Sequence, residues 1–160
     1  MNLILLDLQG TLLDHSTPPL LFPDTIHCLQ ELKERFILAL VTEGKKITDI
    51  NALLSQYSLN HFFRVVLHTR NTALTKIDGS AFLYVLNEVG VTPDETIVIG
   101  DVPAVDIRGA KAVGILSVRI RRGKYSVMEA TSTTEQADFE VTSLTEFVDL
   151  LKKRHNSIQT

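Results

Sequence analysis

The chain of 160 residues has a single cysteine, no apolar run long enough to cross a membrane and no excess of positive charge. Each lack removes a class of function. Cys28 cannot form an intrachain disulfide, and it falls inside a helical pattern, where a packed thiol is expected rather than a nucleophile. A lone thiol also agrees with a reducing compartment. The apolar run near the N-terminus, Leu3 to Leu6, has no basic leader and meets Asp7 at once, so neither a signal peptide nor a membrane helix is expected and the cytoplasm is the expected location. With a formal charge of −3 and a pI near 5.9, nothing global draws the chain to nucleic acid or an anionic membrane. Internal repeats and low-complexity segments are missing too. At this length, with 44% hydrophobic residues, the expectation is one domain spanning residues 1–160 that buries roughly two-thirds of its unfolded surface.

What is present is organised around Leu3 to Thr11, read LILLDLQGT. The four apolar residues suit a buried parallel strand, and the run stops at a carboxylate, Asp7. In open α/β sheets ligands bind at that strand edge, and Gly10-Thr11 supplies a backbone that can turn sharply and offer N–H groups to an anion. A strand running into a solvated turn is the plain alternative.

Along the chain the pattern repeats. Leu12 to Phe22 reads as a loop with Pro18-Pro19, and Pro23-Asp24 opens a helix to about Arg35 with Ile26, Leu29 and Leu32 inward. Phe36 to Val41 is a second apolar run, ending at Thr42 and followed by Glu43-Gly44. A helix from about Lys46 to Tyr57 carries Ile47, Ile50, Leu53 and Leu54, and Phe63 to Leu67 reads as a third strand. Lys76 stands just before a helix of about Gly79 to Val89, whose stripe is Phe82, Val85, Leu86 and Val89 and whose stop is Gly90. Thr96 to Ile99 forms a fourth strand ending in Gly100-Asp101, with Asp106 five residues on. A helix through Ala110 and Ala112 ends near Gly114. Strands at Leu116 to Ile120 and Asp138 to Val141 and a closing helix from Leu144 to Lys153 complete the series. This alternation predicts an α/β fold, a doubly wound, mostly parallel sheet of about six strands with helices on both faces.

If strands one, two and four are neighbours, Asp7, Thr42, Asp101 and Asp106 converge on one edge. Three carboxylates there repel, and a hard divalent cation with oxygen ligands, such as Mg²⁺ shared with waters and a substrate phosphate, relieves the repulsion. The bland alternatives are Asp106 as an ordinary helix residue and Lys76 as a solvated lysine.

DLQGTLLD at Asp7 to Asp14, VT at Val41-Thr42, Lys76 ahead of a helix and IGDVPAVDIRGAKAVGI at Ile99 to Ile115 resemble the four ordered motifs of the haloacid dehalogenase-like (HAD) phosphohydrolases, and the resemblance spans most of the chain. It implies a Rossmann-like hydrolase in which Asp7 attacks phosphorus to give an aspartyl phosphate. Asp7, the backbone carbonyl of Gln9 and Asp101 would hold Mg²⁺, with Asp106 as a further ligand or orienting group. Gly10, Thr11, Thr42, Glu43 and Gly44 would bind the phosphoryl oxygens, while Lys76 would offset charge on the nucleophile and the transition state.

Gln9 departs from the pattern. Phosphatases of that family carry an aspartate there, which protonates the leaving oxygen and later activates water, and an amide does neither. Losing such a group forfeits about 10²- to 10⁴-fold in rate, so a slow or specialised phosphatase is expected, with a catalytically impaired phosphate- or protein-binding module as the alternative. Branches of the family that displace halide also lack the aspartate, but they do not use the acidic metal-binding motif kept here. The gaps where lids are inserted, 42 − 7 = 35 and 76 − 42 = 34 positions, have room for one helix each, so no cap domain is expected. Cover would then come from the Leu12 to Phe22 loop, a second copy of the chain or a large phosphorylated substrate. The basic stretch Arg119, Arg121, Arg122 and Lys124 has two readings, a solvated surface or a grip on an anionic substrate tail.

Overall fold

A computed structural model describes residues 1–44 and 48–158, with the side chains of the last four of these left aside. Six strands form one fully parallel sheet: β1 (Leu3–Leu6), β2 (Ile37–Thr42), β3 (Val65–His68), β4 (Thr96–Gly100), β5 (Leu116–Ile120) and β6 (Phe139–Val141), in the spatial order β3-β2-β1-β4-β5-β6. Five helices connect or close them: α1 (Thr25–Lys33), α2 (Ile50–Gln56), α3 (Ser80–Val89), α4 (Arg108–Ala112) and α5 (Leu144–Ile158). The doubly wound fold expected from the alternation is therefore the fold found.

Strand β1 lies at the centre because its run is apolar on both pleat faces. Leu3 and Leu5 pack with Ala39, Val41 and Val98 under Phe82, Val85 and Leu86 of α3 and Ala110 of α4. Ile4 and Leu6 face the other way, with Leu38, Leu40, Ile97 and Ile99 against Leu29 of α1, Leu54 of α2 and Phe147 and Leu151 of α5. Each such side chain withdrawn from water stabilises by roughly 1.5–3 kcal/mol, so β1 anchors both layers. Its register, Leu6 beside Leu40 on one flank and Ile99 on the other, brings three strand ends level. From β1 the chain winds outward to β2 and β3, then crosses back to β4 and winds the opposite way. The crevice of such a sheet opens at the carboxyl ends of β1 and β4.

Several boundaries differ from expectation for identifiable reasons. The third strand starts at Val65, since Asn60–Phe62 turn tightly and bury Phe62. Helix α2 is observed from Ile50, where Asp49 caps it by accepting from the Ala52 N–H at 2.9 Å; the expected start at Lys46 and the inward Ile47 lie outside the described residues. Residues Pro103–Ile107 form a wide π-type turn before α4. Helix α5 runs past Lys153 to Ile158. In α1 the buried residues are Thr25, Cys28, Leu29 and Leu32, with Ile26 at the margin of the core. Cys28 is buried, its Sγ 3.8 Å from Thr145 Oγ1, and burial pushes its thiol up.

Candidate active site

At the crevice, the end of β1 delivers Asp7 beside the loop that follows β4. The Asp7 N–H donates to the Ile99 carbonyl at 3.0 Å, so the carboxylate leaves the sheet at a fixed point. Ligand oxygens of Asp7, Asp101 and Asp106 lie within 4.8 Å of one another. The Lys76 ammonium, 2% exposed, donates to Asp7 Oδ1 and to Asp106 Oδ1, the latter at 2.9 Å. Asp106 is oriented by the turn it belongs to: its Oδ2 accepts from the Val102 N–H at 3.0 Å, and a Cβ at Gly100 would overlap its carboxyl group. This explains the glycine at the end of β4.

Electrostatics follow from the crowding. Burial pushes the Asp7 carboxyl up to about 6, with the Lys76 charge opposing and the Asp106 charge adding. Burial, then the charges of Asp7 and Asp106, push Asp101 up to about 9. Burial alone disfavours the Lys76 ammonium, but the Asp106 and Asp7 charges and their hydrogen bonds reverse that and hold it protonated. Two carboxylates, Asp7 and Asp106, thus share one lysine, and Asp101 Oδ2 is buried without a hydrogen-bond partner. An orphaned buried oxygen beside two more carboxylates is a donor set suited to a hard cation such as Mg²⁺.

The other singled-out residues surround this cluster. Gly10 adopts φ +83°, and a Cβ there would overlap Asp101 Oδ2 and come within 2.8 Å of His15 Cε1, so only glycine fits the turn. Its N–H donates to the Leu13 carbonyl at 2.6 Å, and Leu12 and Leu13 turn back onto the Leu8 carbonyl. The hydroxyl of Thr11 is buried without a partner. Thr42 ends β2, its Oγ1 accepting from the Gly44 N–H at 3.3 Å. Glu43 adds something the strand-end reading left out: its Oε1 accepts from the Lys76 N–H at 2.5 Å and from Thr75 Oγ1 at 3.0 Å, which ties the lysine's backbone to the end of β2.

Gln9 looks outward into a cleft of about 370 Å³ between the loop after β1 and helix α2. Gln9, His15, Ser16, Thr17 and Pro19 line one wall and Thr48, Asp49, Ala52, Leu53 and Gln56 the other. His15, absent from the sequence-based site, places Nε2 3.8 Å from Asp101 Oδ2 and stands edge-on to Tyr125 at 5.1 Å. It lies in a loop with no periodicity, so only the nearness of Asp7 and Asp14 could have drawn notice.

The basic stretch splits into a largely buried part and a surface part. Arg119 is 1% exposed and donates to the Tyr125 and Met128 carbonyls, bracing the loop after β5. Arg121 forms a two-pronged pair with Glu129 at 3.0 Å and contacts Glu140 at 2.8 Å. Arg122 pairs with Asp24 at 2.7 Å, stacks 4.0 Å from the Phe22 ring centre and donates to the Thr11 carbonyl. Arg119 and Arg122 are thus largely buried by their contacts, whereas Arg121 sits at the surface in ion pairs with exposed glutamates and Lys124 is exposed.

A parallel sheet with carboxylates and one buried lysine at its switch point is the architecture of a Rossmann-like hydrolase core. A family model for haloacid dehalogenase-like hydrolases matches residues 16–114, more than half of the chain. The chain belongs to that family. A glyceraldehyde 3-phosphate phosphatase of Methanopyrus kandleri is 34% identical over 133 residues, 82% of this chain and 57% of that protein. A protein of the same description from Methanocaldococcus jannaschii is 35% identical over 82% of this chain and 56% of its own length, and a phosphoserine phosphatase of Thermus thermophilus is 34% identical over 64% and 41%. The chain therefore spans about half the length of these curated relatives. Among solved structures, a HAD phosphatase from Thermococcus onnurineus superposes with a TM-score of 0.79 at 22% identity, over 94% of this chain and 98% of that one. That likeness bears on the fold alone. Among the described residues no helix is long and apolar enough to cross a membrane.

Proposed function

We propose that the chain is a Mg²⁺-dependent phosphohydrolase acting on a phosphate monoester through an aspartyl phosphate on Asp7. The observation that carries this reading is the Asp7–Lys76–Asp106 chain of hydrogen bonds beside the orphaned Asp101 carboxylate at the switch point. The phosphatase descriptions of relatives at 34–35% identity support it. Asp7, Asp101, Asp106 and the Gln9 carbonyl would hold the cation, which would supply positive charge to the carboxylates and the phosphoryl oxygens.

Asp7 carries the nucleophilic oxygen: one carboxylate oxygen attacks phosphorus, the bond from phosphorus to the ester oxygen breaks, and the alcohol leaves as an alkoxide that takes its proton from solvent. Lys76 fixes Asp7 in line and offsets its charge, while Asp106 anchors the ammonium from the far side. The Thr42 hydroxyl and the Glu43 N–H would receive the phosphoryl oxygens, since the N–H groups of Gly10, Thr11 and Gly44 already donate to the Leu13 carbonyl, the Leu8 carbonyl and Thr42 Oγ1. Water then attacks the aspartyl phosphate, releasing inorganic phosphate and the free Asp7 carboxylate. Gln9 leaves both proton transfers without a side-chain acid or base, so good leaving groups are favoured. The proposal takes the core as capless, because among the described residues only α1 and β2 lie between Asp7 and Thr42 and only α2, a short turn and β3 between Thr42 and Lys76.

The test couples turnover to detection of the intermediate. With an aryl or acyl phosphate, mass spectrometry should find a phosphoryl adduct on Asp7, and Gln9→Asp should raise alkyl phosphate hydrolysis by about 10²-fold or more. No adduct in the wild type together with an inert Gln9→Asp protein overturns the reading.

A further inference from the structure

Resting on the Mg²⁺ site of that reading, we infer that His15 is a positioning residue for Asp101: its Nε2–H takes up one buried oxygen of that carboxylate and so holds the other toward the cation. Two unsatisfied groups face each other here. Asp101 is 1% exposed and its Oδ2 has no hydrogen-bond partner, while the His15 Nε2 stands 3.8 Å from that oxygen. The separation is within reach of an ion pair and longer than an N–H···O bond of roughly 2.7–3.2 Å, so a small tilt of either group closes it. Gly10 leaves the path between them free. A Cβ at that position would overlap Asp101 Oδ2 and come within 2.8 Å of His15 Cε1, so the missing side chain is the space in which the two meet.

The chemistry of the ring selects the same arrangement. His15 Nδ1 is buried without a partner. A neutral ring with its proton on Nδ1 would bury an N–H that has no acceptor and set the Nε2 lone pair against the Asp101 carboxylate. With the proton on Nε2 the donor points at the carboxylate and only a lone pair stays unused at Nδ1. A charged ring carries a proton on Nε2 as well, so the role does not depend on the ring's charge. Metal-binding groups are commonly oriented by an outer partner of this kind.

The imidazole is also fixed in place. Tyr125 meets it edge-on, with ring centres 5.1 Å apart, and the Gly123 backbone packs along its Nδ1 edge, where a Cβ would sit 3.6 Å away. Both neighbours belong to the loop after β5, which Arg119 braces by donating to the Tyr125 carbonyl at 3.3 Å. Arg122 leaves the same strand and donates to the Thr11 carbonyl, beside Gly10. The buried arginines thus hold the two backbone segments that enclose the ring. Any aromatic side chain would satisfy that packing, but only a donor at the place of Nε2 serves Asp101.

The experiment is calorimetry of Mg²⁺ with the full chain freed of metal. His15→Phe keeps a ring against Tyr125 and removes the donor, and His15→Leu removes the donor with a smaller side chain. Both should bind Mg²⁺ about 10–100-fold more weakly, the usual loss when an outer partner of a metal ligand is removed. His15→Gln, whose amide N–H reaches the place of Nε2, should recover most of the affinity, and His15→Asn, whose shorter amide reaches only the place of Nδ1, should not. A packing role would produce no such difference between the two amides. Phenylalanine and leucine variants that bind Mg²⁺ as the wild type does, or an asparagine variant that recovers as much as glutamine, overturn the role of His15 and leave the phosphohydrolase reading standing. A wild type that binds no Mg²⁺ at millimolar concentrations overturns both. The expected pattern of affinities without a phosphoryl adduct on Asp7 defeats the phosphohydrolase reading and supports the role of His15.

Discussion

In the metal-free protein, stability should fall as the pH is raised from about 5 to about 7, against the habit of most proteins of this charge. The cause is that Asp7 and Asp101 titrate in the folded chain near 6 and 9, above their ordinary value of 3.8. Between those values the folded state binds more protons than the unfolded one, so raising the pH favours unfolding. Working from pH 5 to 7, Asp7 contributes about one unit and Asp101 about two, which at ~1.36 kcal/mol per unit gives a ceiling of roughly 4 kcal/mol. Because the Asp7 charge is one cause of the Asp101 shift, part of that sum is shared, and a loss of about 2 kcal/mol is expected, or ~4–8 °C in a domain of this size. The Lys76 shift adds no slope here, since the ammonium stays protonated in both states across this range. Carboxylates held low by their hydrogen bonds, such as Asp14, Glu135 and Asp138, change their contribution only at lower pH. Thermal melts in chelator at both pH values measure the effect, and millimolar Mg²⁺ should remove most of it by favouring the ionised cluster. Asp101→Asn should flatten the profile without metal. A melting temperature that is level or rising from pH 5 to 7 in chelator refutes the argument.

Gly10→Ala combines a left-handed backbone position with an overlap on Asp101 Oδ2; it should cost about 1–2 kcal/mol for the backbone alone and abolish the Mg²⁺-induced rise in melting temperature, and a variant that keeps the full rise would show that the turn can yield. Arg122→Ala removes a largely buried pair with Asp24 and the donor to the Thr11 carbonyl, so urea melts should show a loss of about 2–4 kcal/mol. Arg122→Lys should recover less than half of it, because lysine lacks the planar fork.

How much of this could be read in advance depended on whether the cause was local. Leu3 to Leu6 and Thr96 to Ile99 announce buried strands because both pleat faces are covered, and each run ends where polar chemistry begins. Asp7 and Asp101 could be singled out because apolar runs end at or just before them and Asp106 because it follows close behind, whereas Lys76 stood out only through the resemblance to the family's ordered motifs. The arginines were opaque for the opposite reason. Arg122 finds its partner 98 positions away at Asp24, and Arg121 finds Glu140 19 positions away, so a charge run that looks exposed locally is neutralised by tertiary pairing. Glu43 was placed correctly at the end of β2, but the bond from its carboxylate to the Lys76 backbone depends on where residues 75–76 pass. The π-type turn at Pro103–Ile107 follows from the Asp106 carboxylate closing on Val102, a contact that no apolar period encodes.

Lys76 also explains why fold and site are difficult to separate in this chain. The sheet is wound in two halves that part between β1 and β4, and the ammonium donates to Asp7 on one side of that divide and to Asp106 on the other. Its backbone N–H is held by Glu43 at the end of β2, so one residue joins elements belonging to three strands. A fourth element meets it at Gly109 of α4, where a Cβ would overlap the Lys76 carbonyl and where glycine is therefore required by close approach. Removing the lysine would leave two buried carboxylates without their shared cation, a loss of about 3–5 kcal/mol for a broken buried pair. The same charge that steadies the proposed nucleophile thus holds the two halves of the sheet together at the point where the crevice must open.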